Sequence, residues 1–275
     1  GNAEWRGVCP LPVAQMAQRD FASITESVRW DSRGCDIKGQ ENDPFSEQVY
    51  FTDPAFFSMF HFPLVAGSHD LSDRSTVLLT EKMAQKYFGK DDPIGKSLLL
   101  YAGEKRSVPL IVKGVLKDIP INSSFRFDIL TNLENMKTSD TSFLRADDWK
   151  WFLDGVFFKI PNPADAQHLT QAFNQYIPQQ NNHRPDWKVT GFHLMPMTTM
   201  ASETSTMTAN GLMPRPDDSA VYGTLITGIL IFLSACLNFA NTTVARSNRR
   251  LREMGVRKAM GGTRIQLMRQ ILLEC

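Results

Sequence analysis

Residue types that commonly build catalytic and metal sites are sparse in this sequence and do not have the spacing that such sites require. The 275 residues include four cysteines and five histidines, with no Cys-x-x-Cys pair and no two histidines four positions apart. Zinc sites use those spacings, and no Gly-x-Ser-x-Gly sequence is present to hold a nucleophilic serine. We therefore predict no catalytic residue, no metal and no cofactor, which argues against an enzyme.

Four cysteines are also too few for a disulfide framework. Cys9 and Cys35 could form one bridge if this part of the chain lies outside the cytoplasm, and two free thiols fit the sequence equally well. Residues 1–20 lack the long apolar core of a signal peptide, and Cys275 ends the chain inside an apolar run with helical periodicity. The expectation is a fragment of a longer membrane protein.

A complete phosphate-binding loop is missing as well. Residues 95–97 (Gly-Lys-Ser) resemble the end of such a loop, but Lys90 stands where the loop requires glycine. Pro93 also removes one of the amide donors, so a turn before a strand is the better interpretation. The adjacent carboxylates at 147–148 and 217–218 are predicted to be solvated loop residues, because neighbouring side chains in a loop point apart.

Charge is absent from one long stretch, the 27 residues from Ser219 to Ala245. Within it, residues 221–240 include 14 apolar residues in 20. About 20 such residues are needed to cross a hydrocarbon core roughly 30 Å thick. The stretch therefore predicts a transmembrane helix; a buried core helix followed by a basic tail that binds nucleic acid is the alternative.

The overall charge is nearly balanced, but its distribution is not. Residues 219–275 hold eight basic and two acidic residues, net +6, which leaves 22 basic and 27 acidic residues, net −5, in residues 1–218. Lys and Arg beside a membrane span are retained on the cytoplasmic side. This pattern predicts a protein of the cytoplasmic (inner) membrane, with residues 246–275 inside and residues 1–218 periplasmic or otherwise extracytoplasmic.

Short helices alternate with strands in residues 1–218, which predicts a mixed α+β domain. Helix signals begin at Pro12, at Asp53-Pro54, at Thr80 and at Asn162-Pro163, the last helix ending at Pro178. Strands are predicted over residues 24–30, 49–51, 75–79, 96–101, 108–116, 125–130, 155–160 and 189–194, with turns over 31–46 and a linker over 198–216. The aromatic cluster Phe56, Phe57 and Phe60 is predicted to be core.

The basic tail has the pattern of an amphipathic helix. Over residues 248–260, Leu251, Met254, Val256 and Met260 can line one side while arginines and a lysine cover the other. Gly261-Gly262 is predicted to stop this helix, and Thr263 can cap a second one. A solvated charge run held by anionic membrane lipid is the alternative. Nucleic-acid binding is not favoured, because the tail has no aromatic residue to stack on bases.

Residues 252–264 (REMGVRKAMGGTR), placed just after a span, resemble the R-E-[IM]-G-[IV]-R-[KM]-A-x-G-[AG]-x-R signature of the FtsX-like permeases, the membrane subunits of MacB-type ABC transporters. Residues 53–67 and 77–97 are similar to two segments of the extracytoplasmic domain of that family. The Val-x-Gly-Val sequence at 112–115 is a further match. The resemblance extends from about residue 10 to the end of the chain.

The resemblance implies a two-lobed extracytoplasmic domain over residues 1–218, with a porter-like β-α-β lobe and a mixed α/β lobe inserted at about residues 52–125. A transmembrane helix over 219–245 and a truncated cytoplasmic segment over 246–275 follow. The resemblance implies that this segment contacts a separate ABC ATPase through Arg252, Glu253, Gly255, Arg257, Lys258 and Gly261.

By the same resemblance, the chain forms a homodimer or heterodimer with another permease and contacts membrane lipid. It transmits ATP-driven motion to the external domain, for efflux or extraction of a peptide, a lipoprotein or a drug-like molecule. The first span, later spans and the ATPase itself lie outside these 275 residues. A membrane-anchored extracytoplasmic binding or sensor domain with a lipid-binding basic tail is the alternative function.

Overall fold

The computed structural model describes residues 6–39, 43–101, 107–138, 148–203 and 218–261, together with positions 263, 265, 268 and 269. The chain forms two compact units, residues 1–215 and residues 216–275. The first unit contains all the described strands and six of the described α-helices, and the second contains one long helix.

The elements of the first unit follow the mixed order that the sequence predicts. The strands are β1 (Cys9–Pro10), β2 (Glu26–Lys38), β3 (Phe45–Thr52), β4 (Leu64–Gly67), β5 (Thr76–Thr80), β6 (Ser97–Tyr101), β7 (Ser107–Leu116), β8 (Ile129–Asn132), β9 (Phe152–Leu153) and β10 (Gly155–Lys159). The α-helices are α1 (Leu11–Asp20), α2 (Phe56–Met59), α3 (Glu81–Phe88), α4 (Asp165–Ala172), α5 (Ile177–His183) and α6 (Met197–Glu203). Two 3-10 helices, Leu133–Thr138 and Phe173–Tyr176, complete the unit.

Eight strands form one sheet in the order β10-β2-β3-β8-β5-β7-β4, and β6 pairs with both β2 and β7. The pairs β3–β8 and β5–β7 are parallel, and the others are antiparallel. Because β6 connects β2 to β7, six strands make a closed ring of hydrogen-bonded neighbours. The predicted insert at 52–125 supplies β5, β6 and β7 to that ring. Its status as a separate lobe stays a prediction.

The first core draws apolar side chains from all six strands of the ring. Ile37 of β2, Phe51 of β3, Leu79 of β5, Leu100 of β6 and Val112 of β7 are all buried there. Alternate residues of a strand point to the same face, so β7 contributes Leu110 and Val112 to this cluster. The ring is therefore held by a continuous apolar interior as well as by its backbone hydrogen bonds.

A second core is built around Trp30. Its ring lies 5.1 Å from Phe56, 5.3 Å from Phe125 and 5.6 Å from Phe127. Phe57 and Phe60 pack against the same cluster. The prediction that the aromatic residues of α2 belong to the core is confirmed.

Strand β2 is longer than predicted and runs to Lys38 through a stretch whose Gly, Asp and Ser content indicates turns. It pairs with β3 at eight positions, from Trp30 with Thr52 to Ile37 with Phe45. The prediction of turns over residues 31–38 was therefore wrong. Pairing and the burial of Cys35 and Ile37 outweigh the local preferences of the polar residues between them.

The predicted strand at 189–194 is absent. The backbone N–H of Val189 donates to Asn181 Oδ1 at 2.7 Å, and its carbonyl accepts from Asn181 Nδ2 at 3.0 Å. A side-chain amide thus replaces a neighbouring strand as the hydrogen-bonding partner. The predicted linker at 198–216 begins within α6, and its later part lies outside the described residues.

Two predicted helix caps were wrong, and the helix predicted to end at Pro178 continues. Asp53 does not cap α2; its carboxylate accepts from Arg29 Nε at 2.9 Å and from Arg29 Nη2 at 2.7 Å. Thr80 Oγ1 donates to Asp128 at 3.0 Å instead of capping α3. Pro178 occupies the second position of α5, where a missing N–H is tolerated.

Cys9 and Cys35 are both free thiols, so the bridge that the sequence allows is not formed in this structure. Burial raises the pKa of the Cys9 thiol to about 12 and that of the Cys35 thiol to about 11. Both thiols are therefore protonated at neutral pH, and only a thiolate is a good nucleophile.

Candidate functional site

The second unit consists mainly of one helix, α7, which spans Asp218–Ala259 in 42 residues. Its stretch Ser219–Ala245 is long and apolar enough to cross a membrane, and none of its most apolar part is buried. Large side chains along it are exposed, including Ile231, Phe232 and Phe239. Soluble proteins rarely expose an apolar surface of this extent. This helix was predicted from the absence of charge.

Polar side chains within the apolar stretch are satisfied by the helix itself. The hydroxyls of Thr224, Thr227 and Thr242 donate to the carbonyls four residues earlier, at 2.8, 2.8 and 2.9 Å. In hydrocarbon, an unsatisfied polar group costs several kcal/mol. Such local bonds let a helix carry threonine without needing a polar neighbour.

The basic segment continues the same helix instead of forming a separate one. Sequence reasoning ended the span at residue 245 and placed an amphipathic helix at 248–260, whereas α7 runs through both. It ends at Ala259, and the backbone then turns at Gly261, whose φ is +92°. The predicted stop is confirmed. Most of the second helix predicted after Thr263 lies outside the described residues.

The predicted coupling residues all lie at this end. Arg252, Glu253, Gly255, Arg257 and Lys258 are on the last turns of α7. Gly255 and Lys258 are exposed, as is Gly261 in the turn that follows. Met260 is 82% exposed. These positions therefore lie close together in the chain, at the end of α7 and in the turn that follows it. Their role in contacting an ATPase stays a prediction.

In the first unit, the incoming and outgoing segments of the chain pack on a common core. Phe173 lies 5.6 Å from Phe21, which follows α1, and 6.5 Å from Phe192, in the segment that leads towards α6. Tyr176 donates its hydroxyl to Asp20 at 2.9 Å. Leu194 packs against the same cluster. A displacement of either segment would therefore be transmitted to the other through this shared cluster.

Two buried carboxylates lie where the small β1–β9 sheet meets β2. Asp31 is 4% exposed and Asp154 is 8% exposed. Ser32 connects them: its N–H donates to Asp31 Oδ1 at 2.8 Å, and its hydroxyl donates to Asp154 Oδ2 at 2.6 Å. Trp151 Nε1 donates to Asp31 Oδ2 at 3.2 Å. The Arg33 guanidinium lies over the Trp151 ring at 4.3 Å.

Burial, followed by the charge of Asp154, raises the pKa of Asp31 to about 7. The hydrogen bonds from Trp151 and Ser32 and the charge of Arg33 act in the opposite direction but are smaller. Sequence reasoning missed this pair, because Asp31 falls in the stretch that it assigned to turns. No local sequence signal marks the pair, because the burial of Asp31 follows from the pairing of β2 with β3 in the sheet.

We expect Asp31→Asn to remove a pH dependence of stability between pH 5 and 8. An unfolded Asp has a pKa of about 3.9, so in this interval the folded state binds more protons than the unfolded state. The free energy of unfolding therefore falls as pH rises towards 7, by up to about 3 kcal/mol between pH 5 and 8. Asn cannot ionise, so its curve should be flatter.

Tryptophan fluorescence during thermal unfolding measures this pH dependence of stability, because all five tryptophans lie in residues 1–218. Several carboxylates have a pKa below the usual range, held there mainly by hydrogen bonds from neighbouring donors: Asp20, Glu26, Asp70, Asp73, Asp91 and Asp186. Their contribution is lost only as pH falls below about 4.5, outside the measured interval. Equal slopes for wild type and Asp31→Asn would contradict the assignment.

Among the described residues, no group of three His, Cys, Asp or Glu side chains could hold a metal ion. Residues 95–97 form the predicted turn: Gly95 has φ +80°, and its N–H donates to the Val112 carbonyl at 2.8 Å. That amide is used by the fold instead of facing a phosphate. Of the two adjacent carboxylate pairs, Asp147 and Asp217 lie outside the described residues.

A mixed α/β domain followed in the chain by one long apolar helix with a basic end defines a membrane protein with a large domain and a candidate span. The chain belongs to the MacB-like periplasmic core domain family, which its residues 4–176 match. Residues 225–275 match the FtsX-like permease C-terminal family. It is thus a member of the ABC transporter permeases, as the motif at 252–264 indicated.

Curated relatives agree with this assignment. The chain is 25% identical over 240 residues to the pyoverdine export ATP-binding/permease protein PvdT of Pseudomonas savastanoi pv. phaseolicola, covering 85% of the chain and 33% of PvdT. It is 25% identical over 197 residues to the ABC transporter permease YknZ of Bacillus subtilis, covering 72% of the chain and 43% of YknZ. The chain thus spans less than half the length of either relative.

The fold also resembles a solved structure, the periplasmic region of MacB from Actinobacillus actinomycetemcomitans. The TM-score is 0.50 at 14% identity, covering 74% of this chain and 85% of the other. At this identity the likeness concerns the fold alone. The mixed α/β domain of this chain therefore has the same type of fold as that periplasmic region.

Proposed function

We propose that the chain is part of a permease subunit that carries ATP-driven motion across the cytoplasmic membrane to an extracytoplasmic domain. The observation that supports this most directly is the continuity of α7. The apolar stretch and residues 252–259 of the permease signature lie on one helix of 42 residues, with no break between them. Such a helix is about 63 Å long, long enough to cross a bilayer and extend beyond it.

A continuous helix transmits displacement because its backbone hydrogen bonds resist bending. The basic residues at its end favour the cytoplasmic side, where Glu253 and its neighbours contact a separate ATPase. The external domain performs no chemistry. Its contribution is mechanical, and the shared core around Phe173 and Tyr176 couples the segment that enters the domain to the segment that leaves it.

The proposed partners follow from the same assignment. The ATPase is supplied by another domain or subunit, and a second permease chain, identical or related, completes the transporter. Membrane lipid surrounds the exposed side chains of Ser219–Ala245. The cargo is a peptide, a lipoprotein or a drug-like molecule; the name of one relative refers to pyoverdine export.

Membrane topology tests the proposal with two matched cysteine variants of the full-length protein in cells. Lys90→Cys lies after α3 and Lys258→Cys near the end of α7; both lysines are exposed. With every native cysteine replaced by alanine, a membrane-impermeant maleimide should label position 90 in intact cells. Position 258 should be labelled only after permeabilisation. Labelling of both positions from the same side would exclude the proposed topology.

A further inference from the structure

A cleft of about 440 Å³ opens on the external domain between β3, α3 and the segment that joins β7 to β8. One part of its lining is apolar, formed by Met83, Ile119, Ile121 and Phe127. Ile121 is 84% exposed. The volume lies in the range of small-molecule sites, about 300–1,000 Å³.

The acidic residues of the cleft already have donors. Asp118 Oδ1 accepts the Lys82 N–H at 3.0 Å. Asp128 Oδ1 accepts the Thr80 hydroxyl at 3.0 Å, and its Oδ2 lies 3.9 Å from Lys82 Nζ.

Glu47, the third acid of the cleft, pairs with Lys86 and accepts the Tyr87 hydroxyl at 3.3 Å. Each of the three carboxylates therefore has at least one donor within the protein.

Arg126 differs from them. Its Nη2 donates to the Ile121 carbonyl at 2.6 Å, and its Nε is buried with no hydrogen-bond partner. No carboxylate lies within ion-pair distance of it in the part of the chain that the structure describes. A guanidinium presents five N–H donors in a planar fork that matches a carboxylate. One of them is used by the Ile121 carbonyl and the Nε–H is buried, which leaves three N–H groups on Nη1 and Nη2 for a carboxylate.

We propose that this cleft binds a small amphipathic carboxylate, with the carboxylate group on Arg126 and the apolar body on Ile121, Ile119 and Phe127. The guanidinium supplies a charge-assisted, two-point contact. The apolar wall removes the body of the ligand from water. A fatty acid and the C-terminus of an apolar peptide share this chemistry. The proposal does not depend on the coupling role of α7.

The test uses the whole chain in lipid nanodiscs, with ¹³C-methyl-labelled methionine. The Met83 methyl reports the cleft and is identified by its disappearance in Met83→Leu. Octanoate and acetyl-leucyl-phenylalanine represent the two sources of a carboxylate; octanamide and the dipeptide amide are their neutral counterparts. Titration against empty nanodiscs separates cleft binding from partition into lipid.

We expect at least one of the two carboxylates to shift the Met83 methyl with saturation, and the matching amide to bind at least about tenfold more weakly. Which carboxylate binds identifies the source. Arg126→Gln should weaken binding by a similar factor, Arg126→Lys should retain part of it, and Lys90→Gln, an exposed lysine outside the cleft, should retain all of it.

Equal affinity for a carboxylate and its amide would overturn the proposal, and so would the absence of any Met83 shift with either carboxylate at millimolar concentration. Unchanged affinity in Arg126→Gln would overturn it as well. The comparison of carboxylate with amide is made on the wild-type chain, so it stands even if an Arg126 variant does not fold.

Discussion

Gly114→Ala is expected to lower the stability of the external domain by roughly 3 kcal/mol or more, and to prevent folding if the domain is marginal. Gly114 lies in β7 and pairs with Gly67 of β4. A Cβ at position 114 would lie 2.4 Å from the Ser68 carbonyl oxygen and 2.9 Å from the Leu78 side chain. A backbone atom cannot move away cheaply, so β4 would have to separate from β7.

The position of β7 makes this separation costly. It pairs with β5 and β6 as well as with β4, so a shift of its backbone disturbs three strand pairs. The Leu78 side chain that Gly114 approaches belongs to the Trp30 core. The effect of a single methyl group would therefore reach both the sheet and the core that covers it.

Gly34→Ala is the matched control. Gly34 also lies within a strand, β2, but a Cβ built there meets no atom within 4 Å. Alanine should change stability there by less than about 1 kcal/mol. Denaturant unfolding followed by tryptophan fluorescence compares the two. Similar midpoints for Gly114→Ala and Gly34→Ala would show that the close approach of β4 and β7 does not limit stability.

The sequence identified Gly114 as part of a motif but did not indicate why glycine is required there. The Val-x-Gly-Val match identified the position as part of a family pattern, but its cause is the contact with Ser68, 46 residues earlier in the chain. Local patterns contain no information about such approaches. The same limit explains why Arg29 and Asp53 were not paired in advance: Asp53 satisfied a helix-capping rule locally, whereas the fold presents it to β2.

Elements governed by local chemistry were predicted well. Helix α3 ends at Gly89, whose φ is +62°, as the glycine indicated. The apolar stretch Ser219–Ala245 was recognised because a run of 27 uncharged residues is itself the physical requirement of a span. The continuity of α7 was missed, because the change from apolar to basic composition was interpreted as a boundary although helix propensity does not change there.

The buried pair Asp31 and Asp154 and the cleft around Arg126 could not be predicted from the sequence for another reason. Each brings together residues from separate segments, 123 positions apart for the two acids. Sequence reasoning could examine only carboxylates adjacent in the chain. Which distant acids share a site depends on strand order, and the path from β2 to β3, β8 and β5 cannot be deduced from alternating polarity.

Charge reversal at the end of α7 is expected to reduce transporter-stimulated ATP hydrolysis at least tenfold. If Glu253 contacts the ATPase, Glu253→Lys places like charges or unpaired groups at that interface, which costs roughly 2–5 kcal/mol. Arg257→Glu should act in the same way. ATP turnover of the full-length transporter in proteoliposomes measures the effect, and tryptophan fluorescence confirms that the external domain remains folded. Arg269→Glu, beyond the signature, is the matched charge-reversal control.

Glu253 and Arg257 are four positions apart on α7, a spacing at which they can also stabilise the helix by pairing with each other. The exchange Glu253→Arg with Arg257→Glu separates the two roles. The exchange keeps opposite charges four positions apart, so the stability of the helix changes by only a few tenths of a kcal/mol. It nevertheless presents the ATPase with reversed charges at both positions. Loss of turnover in the exchanged variant supports an intermolecular contact, because the helix pair is intact. Recovery of turnover would show instead that the two residues act only within α7. The coupling role would then have to be assigned to other positions of the segment, or the proposal of coupling would have to be abandoned.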